Sequence, residues 1–293
     1  MLAETQTFPS GSACPAPAEQ LKQALAQADA VIIGAGAGLS VSAGFTYAGE
    51  RFTQNFADFI AKYQLTDMYT AGFYPFPTRE EKWAYWSRHI WCNRYVPAPK
   101  PVYDDLLKLV RDKDYFVLTT NVDHQFQKAG FAKQRLFYTQ GDYGLWQCSE
   151  PCHRETYDNE QAVRRMLAAQ KDLRIPSEMV PRCPVCGRPM AMNLRADDTF
   201  VEDSGWQEAQ NRYLAFMNAH ARGRVVYLEL GVGGNTPGII KYNFWRRVSR
   251  NPEAVYVCVN REDAYAPDEI AARSLCFRSD IGRLLAAAEN RNP

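Results

Sequence analysis

Residues 31–45 read VIIGAGAGLSVSAGF, an apolar run that meets three closely spaced glycines. The run predicts a buried strand ending at Gly34. Gly34, Gly36 and Gly38 then predict a tight turn into a helix, with positive φ allowed and backbone amides free to approach a pyrophosphate at the helix N-terminus. The segment departs from the G-x-G-x-x-G fingerprint because Leu39 takes the third glycine position, and no acidic residue stands where that fingerprint places its ribose contact. A strand-to-helix connection that binds nothing fits the same residues, so the rest of the chain has to decide.

Working outward, PAEQLKQALAQA from Pro17 has helical spacing with Leu21 and Leu25 on one face. Further short β-branched or aromatic runs stand at DYFVLTTN from Asp114, RLFYTQG from Arg135, VVYLELGVG from Val225, AVYVCVN from Ala254 and SLCFRSD from Ser274. Helical patterns such as PVYDDLLKLVRDK and SGWQEAQNRYLAFMNAHARG lie between several of them. This alternation predicts an α/β fold, a parallel sheet covered on both faces. Two stretches break the rhythm: an aromatic-rich helical one over about 50–100 and one with four cysteines over about 143–198. Both are read as insertions that build a smaller lobe. Residues 1–18 are expected to be a flexible start, and 19–293 the folded body.

At 293 residues, with 46% hydrophobic and 13% aromatic content, the chain has ample material for a packed core. Lysine plus arginine number 34 against 33 acidic residues, a net charge of +1, which offers no general attraction to nucleic acid or an anionic membrane. The longest weakly polar run, from Ala30, is diluted by glycine and serine and falls short of the roughly 20 apolar residues of a membrane span. The start, MLAETQTFPSGSACPAP, has neither the basic end nor the apolar stretch of a secretory signal, so a cytoplasmic location is expected.

In that setting the eight cysteines are read as metal ligands and buried thiols rather than disulfides. Three residues separate Cys148 from Cys152, two separate Cys183 from Cys186, and thirty separate the pairs. Such pairs can place four thiolates tetrahedrally about zinc, and four protein ligands leave no open position, so the metal is expected to be structural. Buried free thiols are the plainer reading of the same residues. His153 beside the quartet is expected to be a loop residue, and Cys258 and Cys276 to be core residues of strands.

Polar residues recur where strands end. Asn121 and Asp123 follow the Asp114 run, Gln140 and Asp142 follow RLFYT, Gly233 to Thr236 follow VVYLELGV, and Asn260 and Glu262 follow AVYVCV. Each group alone is explained by turns or caps. Their recurrence at the carboxyl ends of successive strands describes a ligand cleft.

Taken in order, GAGAGLSVSAGF, TTNVDHQFQKAG, the cysteine quartet, GVGGNTP and VNRED resemble the sirtuins, over about residues 20–285. The resemblance implies a Rossmann-like parallel-sheet domain with a smaller lobe made of a zinc-ribbon insertion and a helical insertion, and NAD as the consumed cofactor. It implies that Gly34, Ala35, Gly36 and Ser40 line the phosphate turn. Asn121 and Asp123 would form the nicotinamide and ribose pocket, Asn260 and Glu262 would meet the adenosine ribose, and Gly233 and Asn235 would join the cofactor contacts. Where sirtuin deacylases have the histidine of a His-Gly motif, TQGDYG has Gln140. FTYAGERF likewise replaces the family's Ile-Pro-Asp-Phe-Arg stretch. The phrases GFTYAGERF and TQGDYG are similar to the macrodomain-linked (class M) sirtuins. That group is associated with mono-ADP-ribosylation of lipoylated carriers like the glycine cleavage H protein, reversed by a macrodomain hydrolase.

A carboxamide has no basic lone pair near neutral pH, so Gln140 orients but does not act as general base. Deacylation needs that base after nicotinamide leaves, whereas transfer to an ionised carboxylate does not. The expected activity is therefore NAD-dependent mono-ADP-ribosyl transfer, with Asn121 and Gln140 orienting ribose and nicotinamide and Asp142 stabilising charge or aligning the acceptor. The alternatives are an NAD or ADP-ribose sensor without turnover and a residual lysine deacylase. Nucleic-acid binding by the zinc ribbon is set aside on charge.

Overall fold

The computed structural model describes residues 15–234 and 237–290. Nine strands order the described residues: β1 Ala30–Ala35, β2 Asp114–Thr119, β3 Leu136–Tyr138, β4 Gly141–Cys148, β5 Tyr157–Asp158, β6 Met190–Leu194, β7 Val225–Leu230, β8 Val255–Asn260 and β9 Ser274–Arg278. Six form one sheet in the order β3-β2-β1-β7-β8-β9. Every neighbouring pair in it is parallel. β4, β5 and β6 form a separate antiparallel sheet in the order β5-β4-β6.

β1 is buried at all six positions, as a strand covered on both faces must be. Val31 and Ile33 point to one side, where Leu21, Leu25, Leu106, Val110 and Leu285 pack on them. Ile32 points to the other, toward Tyr213, Met217, Phe244 and Val248. The expected parallel sheet with helices on both faces is what forms.

The two interrupting stretches share one core of their own. Phe52, Phe56, Phe59, Trp83 and Tyr85 of the helices Glu50–Tyr63 and Arg79–Ile90 pack with Tyr143, Trp146, Cys148 and Cys183. Thr78 caps the second helix: its hydroxyl accepts the Glu81 amide and donates to Glu81 Oε2, each at 3.2 Å. The buried Glu81 carboxylate is met by Lys62 at 2.7 Å and Arg174 at 3.3 Å, and the latter ties this helix to the cysteine-bearing segment.

Two expectations need correction. The flexible start was drawn to residue 18, but the helix Pro17–Gln27 already includes Pro17 and Ala18, since proline suits a first helical position; residues 1–14 lie outside the described residues. Cys276 is exposed rather than core: it is the register partner of the buried Cys258 and shares its face, but β9 is the edge strand, where that face is left uncovered. Cys258, in β8, is fully buried as expected. No helix among the described residues is long and apolar enough to cross a membrane.

Candidate active site

Because the six strands run the same way, their carboxyl ends meet on one edge, where open α/β sheets bind ligands. Asn121 and Asp123 leave β2 there, Gln140 and Asp142 flank the passage from β3 to β4, Gly233 follows β7, and Asn260 and Glu262 flank the end of β8. Asn235 lies outside the described residues.

The glycine turn works differently from its sequence reading. Gly34 sits inside β1, where a Cβ would lie 2.3 Å from Ile240 Cγ2 and 2.5 Å from Phe244, so its smallness serves helix packing. None of Gly34, Gly36 and Gly38 has positive φ. A Cβ on Gly36 would instead lie 2.7 Å from the Gly231 carbonyl, and one on Gly38 2.7 Å from Gly231 Cα. The turns after β1 and β7 thus touch backbone to backbone. Around Gly233 a Cβ would meet nothing within 4 Å, which leaves room for a ligand to come close. Asn260 Nδ2 donates to the Val232 carbonyl at 3.1 Å and joins the β8 end to this turn, while Glu262 is exposed. Behind the turn, the buried Glu229 carboxylate takes Lys241 Nζ at 2.6 Å and the Tyr256 hydroxyl at 2.5 Å.

Ser40 is the hub of the edge. Its hydroxyl donates to Asp123 Oδ2 at 2.5 Å and receives Asn121 Nδ2 at 3.0 Å; with its one proton spent on Asp123, the Tyr103 hydroxyl at 2.9 Å donates to it. Asn121 Nδ2 also donates to the Gly36 carbonyl at 3.0 Å. The Asn121 Oδ1 has no partner among the described residues, so a fixed carbonyl acceptor is offered to a ligand hydroxyl. Burial pushes the Asp123 carboxyl above its usual range, against the Ser40 and Gln125 hydrogen bonds.

Beside this hub lies a cavity of about 290 Å³ lined by Ser40, Phe45, Tyr47, Asn121, Asp123 and Tyr143. The stretch that departs from the sirtuin pattern therefore supplies Phe45 and Tyr47 as aromatic walls. Tyr47 and Tyr143 join hydroxyls at 2.7 Å, both against the core of the small lobe. Burial raises the Tyr47 hydroxyl to about 12, so it stays protonated. A larger hollow of about 580 Å³ sits on the small lobe between Trp146, Met166 and Val180, and none of the strand-end residues lines it.

Gln140 is half-buried; its backbone carbonyl receives the Arg195 amide at 3.0 Å, and its Nε2 reaches Thr139 Oγ1 at only 3.4 Å. Its carboxamide is thus barely held by the protein. Asp142 is held firmly: Oδ1 takes Arg94 Nε at 2.7 Å and the Gly144 amide at 2.6 Å, and Oδ2 faces His124 Nδ1 at 2.6 Å. Burial works to raise its carboxyl, yet the His124 hydrogen bond and the Arg94 charge leave it below the usual range. Tyr103 and Arg94 had no distinct signal in the sequence, since each stands in a segment that reads as an ordinary helix; Tyr47 and His124 lie inside FTYAGERF and TTNVDHQFQKAG but were not singled out there.

The cysteine quartet assembles as its spacing predicts. The four Sγ atoms lie within 4.8 Å of one another, with Cys148 and Cys186 3.6 Å apart and Cys152 and Cys183 3.7 Å apart. Zinc–thiolate bonds of about 2.3 Å in a tetrahedron require sulfur separations of about 3.8 Å, so the set fits a closed structural zinc site. His153 Nδ1 lies 2.9 Å from Cys152 Sγ and its Nε2 2.7 Å from the Tyr157 hydroxyl, outside the four-thiol set.

No family model matches the chain. It is 42% identical over 272 residues to the protein ADP-ribosyltransferase of Staphylococcus aureus strain Mu50, covering 92% of this chain and 86% of that protein. It is 32% identical over 282 residues to a Fusarium oxysporum f. sp. cubense protein named "Probable bifunctional ADP-ribose hydrolase/ADP-ribosyltransferase", covering 89% of this chain but 46% of that one. Among solved structures, Sir2Tm bound to a propionylated peptide matches with a TM-score of 0.57 at 18% identity, over 93% of this chain and 97% of that chain. A Sir2 homologue in complex with NAD matches with a TM-score of 0.55 at 15% identity, over 93% and 94%. The structural likenesses are likenesses of fold.

Proposed function

This chain belongs to the sirtuin-fold protein ADP-ribosyltransferases, and from that premise we propose that it moves one ADP-ribosyl group from NAD to a protein and releases nicotinamide. The observation that carries the reading is the pairing of an intact Ser40–Asn121–Asp123 hub with a carboxamide, Gln140, at the passage from β3 to β4. The hub offers what loss of nicotinamide requires: an oriented acceptor oxygen on Asn121 and the buried Asp123 beside an aromatic-walled cavity. Gln140 lacks the basicity that the later steps of deacylation require.

In this scheme the glycine turn, with Ala35, Gly36 and Ser40, holds the phosphates, Gly233 and Asn235 flank them, and Asn260 and Glu262 hold the adenosine ribose. Asn121 and Gln140 orient the nicotinamide ribose, and Asp142, taken up by Arg94 and His124, aligns rather than reacts. The zinc site keeps the small lobe folded over the edge. The acceptor we propose is a lipoylated carrier of the glycine cleavage H type, on the likeness of GFTYAGERF and TQGDYG to the macrodomain-linked group. A macrodomain hydrolase as partner is supported by the fungal relative, whose name joins both activities in one chain. A cytoplasmic setting suits four thiolates kept for zinc.

Incubation with labelled NAD and a lipoylated H-like protein, beside its unlipoylated form, tests the reading. Label is expected on the lipoylated form alone, and Gln140→Ala should reduce it. Bound NAD with neither label nor nicotinamide release would turn the reading into that of a sensor, and loss of acyl groups from a lysine peptide into that of a deacylase.

A further inference from the structure

The chain has four histidines, and three stand away from the ligand edge. His89 is wholly buried in the small lobe, with its ring 4.9 Å from those of Trp86 and Tyr143. His153 bonds to Tyr157 beside the cysteine quartet, and His220 faces Asp114 at the amino end of β2. His124 alone lies at the carboxyl edge, one residue after Asp123.

Its imidazole is held in a specific way. Nδ1 lies 2.6 Å from Asp142 Oδ2, and the Asp142 side chain is only 5% exposed, with its other oxygen taken by Arg94 and the Gly144 amide. An ionised carboxylate only accepts hydrogen bonds, so Nδ1 carries a proton and, in the neutral ring, Nε2 holds the lone pair. Nε2 has no partner among the described residues, and the side chain is 27% exposed. His124 lines a narrow cleft with Asn121, Asp123, Tyr138, Gly141 and Asp142, and Asn121 and Asp123 also line the cavity of about 290 Å³. The backbone of His124 is left-handed, φ 62° and ψ 16°, a conformation that strains histidine and suits glycine. A left-handed backbone, a buried carboxylate and an arginine on that carboxylate together hold the ring by Nδ1 and leave Nε2 without a partner among the described residues.

We propose that His124 is the proton acceptor of the transfer step, with Asp142 as its positioning residue, and that the acceptor attacks through an atom that carries a proton, a hydroxyl foremost. The proposal rests on the transferase reading and deepens it. The C1′–N bond of the nicotinamide ribose breaks first and leaves its electron pair on nicotinamide, which departs neutral and can return; the acceptor oxygen then bonds to the positively charged C1′. The acceptor's proton passes to His124 Nε2 and from there to solvent. The base absent from position 140 is thus offered from the end of the neighbouring strand, and acceptors are not confined to carboxylates.

The test compares two reactions of the whole enzyme: exchange of labelled nicotinamide into NAD, which needs no proton acceptor, and delivery of ADP-ribose to the lipoylated carrier or, without it, to water. His124→Gly, which relaxes the turn, is expected to slow delivery roughly 10²-fold more than exchange. Added imidazole should restore delivery. Asp142→Asn places a donor against Nδ1, moves the ring proton to Nε2 and should slow delivery in the same selective way. Nitrogen NMR reads the tautomer directly: Nδ1–H is expected in the wild type, and Nε2–H would overturn the proposal. Equal losses of delivery and exchange without imidazole rescue, or full delivery by His124→Gly, would overturn it as well. A wild type that neither releases nicotinamide nor labels the carrier would sink the transferase reading itself, and this would be seen before any variant is made.

Discussion

The hydroxyl of Ser40 and the carboxylate of Asp123 lie 2.5 Å apart across 83 residues of sequence. Asp123 is buried, and Ser40 is its one side-chain donor among the described residues. Ser40→Ala would leave a buried carboxyl short of a hydrogen bond and remove one of the two acceptors that hold Asn121 Nδ2, at about 1–3 kcal/mol of stability. Urea unfolding should show that loss and nicotinamide exchange should slow with it. A variant with unchanged stability and exchange would mean that the hub is idle.

Gly36 and Gly233 should separate packing from ligand approach. Gly36→Ala sets a methyl 2.7 Å from the Gly231 carbonyl and 2.8 Å from Val232 Cα, both backbone atoms, and is expected to lower stability by about 1–3 kcal/mol. Gly233→Ala meets nothing within 4 Å and should leave the thermal midpoint alone while weakening NAD binding. Calorimetry and a binding titration on both variants check this; undiminished binding by the second would remove Gly233 from the cofactor site.

Zinc removal should act on one lobe first. Cys148 and Cys183 belong to the small-lobe core that holds Trp83 and Trp146, whose rings meet edge-on at 4.9 Å. A chelator is expected to abolish the near-ultraviolet signal of these tryptophans while much of the far-ultraviolet signal of the parallel sheet persists, because the sheet has cores of its own. Simultaneous loss of both signals would show that the lobes fold as one unit.

His89 should make the protein sensitive to mild acid. Burial lowers its pKa to about 3 from the ordinary 6.5, so between those values the unfolded chain binds a proton that the folded chain refuses. Stability then rises with pH across this window and falls on acidification, by about 2–3 kcal/mol from pH 6.5 to 4.5 if His89 alone is counted. Urea midpoints over that range should fall less steeply in His89→Phe than in the wild type, and parallel slopes would discard the account.

The sheet was legible in the sequence because each strand is a short apolar run buried on both faces, a pattern local to its own residues. The zinc quartet was legible because ligand spacing is a property of the chain itself. Gly36 and Gly38 were recognised as necessary, but the freedom of φ expected of them is not used, and a demand from Gly231 is added that no local pattern announces. Cys276 was misplaced because VVYLEL and SLCFR look alike as runs, and only strand order makes the second an edge.

The sequence by itself therefore determined the elements, the edge to which their polar ends converge and the metal site, since those follow from periodicity, strand direction and spacing along the chain. Tertiary structure alone decided what each polar residue does at that edge. Ser40 meets Tyr103 and Asp123, and Asp142 meets Arg94 and His124, through hydrogen bonds that join segments from 18 to 83 residues apart. Such bonds depend on how helices and turns pack on the sheet, and a directional contact between distant side chains leaves no period in the sequence to read.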